Sequence, residues 1–103
     1  MPETNPPDYN IERRKVSRDI KSFRFKHEYK PGLIQYFNID LGKKYKVVSD
    51  TKRISGTVFE VLAFVYKGDD TIGSSVPIGV QVKFLKNNQY GTYYDLHELV
   101  EVQ

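Results

Sequence analysis

The sequence predicts an all-β protein, and three stretches carry that expectation. In residues 22–30, Phe23, Phe25, His27 and Tyr29 fall on odd positions, while Arg24, Lys26, Glu28 and Lys30 fall on even ones. In residues 76–84, Val76, Ile78, Val80, Val82 and Phe84 alternate with Pro77, Gly79, Gln81 and Lys83. Strict alternation is the pattern of a strand with one face buried. Residues 54–66 are dense in β-branched and aromatic side chains, which favour a pleated surface over a helix.

Taken in order, residues 1–10 hold Pro2, Pro6 and Pro7 among polar residues and read as an extended or disordered lead-in. Residues 11–21 read as a weak helix, with Asn10 as cap and Val16 and Ile20 on one face, or as an arm that orders on binding. The strand over 22–30 ends at Pro31-Gly32. Residues 33–41 mix apolar and polar positions and fit either a short strand or a helical turn. Residues 44–49 place Tyr45 and Val47 on one strand face, with Lys44 and Lys46 on the other. Residues 50–53 are a polar loop. The run 54–66 is apolar at both parities, so the strand is either covered on both faces or strongly bent. Residues 67–75 form a loop around Gly68 and Gly73, and Pro77 places the start of the next strand at a sheet edge. Lys86-Asn87-Asn88-Gln89 is a turn, 90–94 a short aromatic strand, Asp95-Leu96-His97-Glu98 one helical turn and 99–102 a closing strand. Alternation sends one of Tyr93 and Tyr94 inward and the other outward.

With 103 residues the chain suits a single domain able to bury a core without staples. Cysteine is absent, which excludes disulfides, thiolate metal sites and thiol catalysis. No apolar run reaches the length of a membrane span, and no secretory signal is visible. These features point to the cytoplasm, and to the host cytoplasm if the protein is viral.

From Gly42 onward the order of elements resembles the SH3-like small β-barrels, and most closely their KOW and Tudor-type group. The likeness rests on Lys44-Tyr45-Lys46-Val47-Val48 as opening strand and Arg53-Ile54-Ser55-Gly56-Thr57-Val58 as loop glycine followed by a β-branched residue. It continues in Ile78-Gly79-Val80-Gln81-Val82-Lys83-Phe84 as central strand and in 95–102 as closing turn and strand. Lys52-Arg53 stands where the KOW opening has a second glycine. The resemblance implies a barrel of about five strands over 42–103. Residues 22–41 are then an N-terminal elaboration with one strand, 22–30, that could add to the barrel, and 1–21 a flexible basic arm. A short, cysteine-free chain rich in Tyr and Lys also resembles small accessory proteins of bacteriophages.

The net charge of +3 is concentrated in the first third. Residues 1–32 hold eight Lys and Arg against five acids, whereas 33–103 hold eight of each. A basic arm on a neutral body fits a polyanionic partner, DNA or RNA, through counterion release from phosphates. The candidate contacts are Arg13, Arg14, Lys15, Arg18, Lys21, Arg24 and Lys26 from the N-terminal part, and Lys44, Lys46, Lys52, Arg53 and Lys83 from the barrel. Tyr90 and Tyr93, with Tyr94, are candidate platforms for unpaired bases. The competing expectation is a protein-interaction module that modulates a partner, with the 67–75 loop and exposed tyrosines in contact. No catalytic constellation, metal or cofactor is expected. His27 and His97 lack ligand spacing, with His27 packed and His97 exposed; Asp69-Asp70 beside Gly68 is a turn, and Gly73-Ser74-Ser75 is not a phosphate loop.

Overall fold

The computed structural model describes residues 14–103. The lead-in over 1–10 and the first part of the expected helix lie outside the described residues. The rest is all β, apart from one short 3-10 turn at Leu96–Glu98. Eight strands follow in chain order: β1 (Lys15–Ser17), β2 (Ser22–Lys30), β3 (Leu33–Asp40), β4 (Lys44–Val47), β5 (Val58–Tyr66), β6 (Gly79–Phe84), β7 (Tyr90–Tyr93) and β8 (Leu99–Glu101).

Six strands form one antiparallel sheet. Five run in the order β7-β6-β5-β4-β8, and β1 joins the far end of β5. The outermost strands β7 and β8 do not pair with each other, so the sheet is not closed into a barrel. β2 and β3 form a separate hairpin. In the core, Tyr45, Val47, Phe59, Val61, Phe64, Tyr66, Val80, Val82 and Tyr93 meet Leu96 and Leu99. The base of the hairpin covers it. Phe25 and Ile39 are buried, and the Phe23 and Phe25 rings lie 6.4 and 6.3 Å from that of Phe64.

The two parities of the 54–66 run have a local cause. β5 keeps register with β6 through Val61↔Val82 and resumes at Ala63↔Gln81, which leaves Leu62 as an extra residue. A bulge of this kind reverses which face each later residue takes and bends the strand. Phe59 and Val61 face the core before it, and Phe64 and Tyr66 after it. Residues 54–56 are turn and Thr57 is irregular rather than strand, with Gly56 at φ +91°.

The expectations for the N-terminal third are corrected. The segment expected as a weak helix, or as an arm that orders on binding, contains β1, whose Val16 stands opposite Val65. Residues 14–21 are therefore tied to the sheet rather than forming a free arm, and Ile20 packs on the core. The elaboration over 22–41 has two strands, not one. They pair from Ser22↔Asp40 to Glu28↔Ile34 and turn at Pro31-Gly32, where Gly32 has φ +81° and its amide donates to the Glu28 carboxylate at 2.9 Å. The hairpin adds to no strand of the larger sheet.

Candidate nucleic-acid interface

The hairpin has two chemically distinct faces because its register is regular from Ser22 to Glu28, the one irregularity falling between Glu28 and Lys30 near the turn. Directly paired residues share a face. Phe23, Phe25, His27, Phe37 and Ile39 point toward the core side, while Arg24, Lys26, Tyr36 and Asn38 point away. Tyr36 is 58% exposed and directly opposite Lys26, and the Arg24 guanidinium lies 4.5 Å over its ring. A guanidinium on an aromatic face leaves a broad planar surface that retains its charge. At the same place Phe23, Arg24, Phe25, Lys26, Tyr36 and Val76 line an open cleft of about 590 Å³. β2 pairs only with β3, so its other edge has no strand partner among the described residues.

A second basic surface lies on the outer face of the sheet. Successive pairings Lys44↔Glu60, Glu60↔Lys83 and Lys83↔Tyr90 set four side chains in a row across β4 to β7. Tyr90 is 69% exposed at its end. Lys46 stands on the same face between Val58 and Val100. Glu60 lies between two of the lysines and offsets part of their charge.

The remaining expected contacts are distributed differently. Arg13 lies outside the described residues. Arg14 places its guanidinium 4.7 Å over the Tyr94 ring and donates to its hydroxyl. Lys15 donates to the Asp70 carbonyl at 2.7 Å and Lys21 to the Arg18 carbonyl at 2.6 Å. Arg18 and Arg53 are exposed on loops. Lys52 and Tyr93 are engaged internally. The Lys52 ammonium pairs with Asp95 and, at 2.7 Å, with Glu98, and the Tyr93 hydroxyl donates to the same Glu98 oxygen at 2.5 Å. Tyr93 is only 7% exposed, so its ring offers no platform to a base. Lys52, then Tyr93, hold the Glu98 carboxyl below the usual carboxylate range. Burial, then Glu98, push the Tyr93 hydroxyl up to about 12. These charges tie the 48–57 loop to the turn before β8 and are a fastening, not a docking surface.

Sequence reasoning missed Tyr36. The signal was present in Pro31-Gly32: a hairpin folded about that turn brings Tyr36 across from Lys26. His97 was expected to be exposed but is partly covered by His27. Among the described residues no group of three or more His, Cys, Asp or Glu could hold a metal ion. No described helix is long and apolar enough to cross a membrane. Comparison with protein-family models, curated proteins and solved structures found no match.

Proposed function

We propose that the protein is a non-catalytic nucleic-acid-binding module of low sequence specificity, built on an SH3-like small barrel. The barrel reading draws support from the strand order. Numbering β4 to β8 as the five strands of residues 42–103 gives the order 4-3-2-1-5, with a 3-10 turn just before the last strand. The binding reading rests on one observation, the Arg24–Tyr36 stack with Lys26 directly opposite on an exposed strand face. Cations neutralise phosphates there and the ring stacks on bases, while nothing spells a base-reading code.

The test is a salt titration of affinity for labelled DNA and RNA. Binding should weaken steeply with salt, and Lys26→Ala should reduce the log–log slope by about one. A flat salt response, or no binding at micromolar protein, removes the reading. The alternative, a protein-interaction module, draws on the hairpin tip, where Tyr29, Leu33 and Ile34 are all exposed. Capture of one partner protein that survives nuclease and high salt, and is abolished by Leu33→Asp, would favour it.

A further inference from the structure

We infer that the cleft beside β2 receives an unpaired nucleobase, so that the ligand of this face is single-stranded nucleic acid rather than duplex. The inference rests on the nucleic-acid reading above and names the form of the ligand.

The chemistry of the cleft differs from that of a surface built for phosphates alone. Its lining combines the exposed Tyr36 and Val76 with Arg24 and Lys26, and it is bordered from the core side by Phe23 and the largely buried Phe25. The volume of about 590 Å³ falls in the range of roughly 300–1,000 Å³ typical of pockets for small organic ligands, room enough for a base with its sugar. An apolar lining favours a flat, weakly hydrated ring. Two adjacent cations favour an anion attached to that ring. A nucleotide in a single strand supplies both. In a duplex the bases are stacked and paired, so only groove edges and phosphates reach a protein, and entering a cleft requires unstacking at a cost of a few kcal/mol.

The arrangement of Arg24 points the same way. Its guanidinium carbon lies 4.5 Å over the Tyr36 ring rather than away from it. Flat ring and flat cation together suit base stacking, which accepts every base because each has a π face. Val76 comes from the loop between β5 and β6, yet it is 62% exposed and lines the cleft. An exposed valine next to two cations and an aromatic ring has an apolar partner to gain when a base enters.

The experiment measures fluorescence anisotropy of one labelled mixed-sequence oligonucleotide, first as a single strand and then annealed to its complement, at equal salt. The full chain should bind the single strand at least tenfold more tightly. Val76→Glu, at an exposed position, should keep the thermal midpoint and weaken single-strand binding severalfold, with little change for the duplex. Tyr36→Ala should weaken single-strand binding by roughly tenfold or more. Equal affinity for both forms, or an unaltered single-strand affinity in Val76→Glu, overturns the inference while the nucleic-acid reading stands. Failure to bind either form overturns both.

Discussion

The imidazole rings of His27 and His97 stack face to face, with centroids 3.9 Å apart and planes within 3° of parallel. His27 belongs to β2 and His97 to the 3-10 turn before β8, so the stack joins the hairpin to the end of the sheet. Tyr29 meets the His27 ring edge-on at 4.5 Å. Beyond this point the hairpin runs on exposed on both strands, and an isolated two-stranded ribbon is marginally stable. The pair therefore anchors the hairpin midway along its length. His27→Ala and His97→Ala should each destabilise the protein, and the double variant should lose less than the two together. Denaturant unfolding should give a coupling of about 0.5–1.5 kcal/mol, typical of an aromatic pair. Simple additivity would show that the stack is incidental.

Glu98 makes stability depend on acid. Its carboxyl is held below its ordinary range by Lys52 first and Tyr93 second. A carboxyl lowered in the folded state contributes stability that is fully present above its unfolded pKa. That contribution is lost as pH falls through the folded value. Glu98→Gln should therefore cost about 1–2 kcal/mol at neutral pH, toward the lower end for hydrogen bonds to charged groups because Lys52 is partly exposed. Unfolding curves of the two proteins should begin to converge as pH falls below about 4, the ordinary glutamate range, and meet only below the lowered folded value. A gap that stays constant down to pH 3 would show that the charge of Glu98 is not the source.

How much of this was legible in the sequence depended on whether a period survived folding. The alternation over 22–30, and that over the 79–84 part of 76–84, survived because each strand has one face on the core, whereas Val76, Pro77 and Ile78 precede β6 and Val76 is exposed. The segment 33–41 carried no clear period because half of β3 extends past the core, leaving Leu33, Ile34 and Tyr36 exposed at both parities. β1 is three residues long, too short to show a period at all. The both-sided apolar run in β5 suggested a bend, and Leu62 supplies it, but no local signal placed the bulge at that residue. For the candidate site, residue types were readable and their company was not. Lys44, Lys83 and Tyr90 become a row only through the register with Glu60. Lys52 looked like a free cation until Asp95 and Glu98 folded back upon it.

Tyr66 is fully buried and its hydroxyl finds no hydrogen-bond partner among the described residues. Burial raises its pKa. Tyr45, by contrast, accepts from the Asp40 amide at 2.8 Å. An unpaired buried hydroxyl is a cost of about 1–3 kcal/mol that phenylalanine does not carry. Tyr66→Phe should leave the thermal midpoint unchanged or raise it, whereas Tyr45→Phe should lower it by leaving that amide without its partner. A clear loss in Tyr66→Phe would reveal a bound water at the hydroxyl.

Gly79 is required by its neighbours. A Cβ there would come within 2.7 Å of the Tyr94 ring and 2.8 Å of the Tyr93 carbonyl oxygen. The ring can swing away; the backbone oxygen cannot without disturbing the pairing of β6 with β7. Gly79→Ala should destabilise by about 1–3 kcal/mol, in the range of an overpacked core. Removing the ring as well, in Gly79→Ala/Tyr94→Ala, should restore only part of the loss. Full recovery would place the whole conflict on the ring.

Truncation separates the fold from the charge of the N-terminal segment. A chain beginning at Arg14 keeps every contact described here. A chain beginning at Ser22 loses β1, uncovers the edge of β5 at Phe64, Val65 and Tyr66, and removes Ile20 from the core. Val65 is almost fully buried, and uncovering a valine of that kind costs about 1.5–3 kcal/mol before the lost strand pairing is counted. The Ser22 start should therefore have a lower urea midpoint than the Arg14 start. Equal midpoints would mean that β1 adds nothing to the sheet. Because the shorter chain loses structure together with Arg14, Lys15, Arg18 and Lys21, weaker nucleic-acid binding by it would not isolate electrostatics. Replacing Arg18 and Lys21 with glutamine in the full chain removes charge on an exposed loop and leaves β1 in place. That variant should unfold near the wild-type midpoint. Its salt slope should fall by up to about two if both residues contact phosphate, and stay unchanged if binding is confined to the hairpin face.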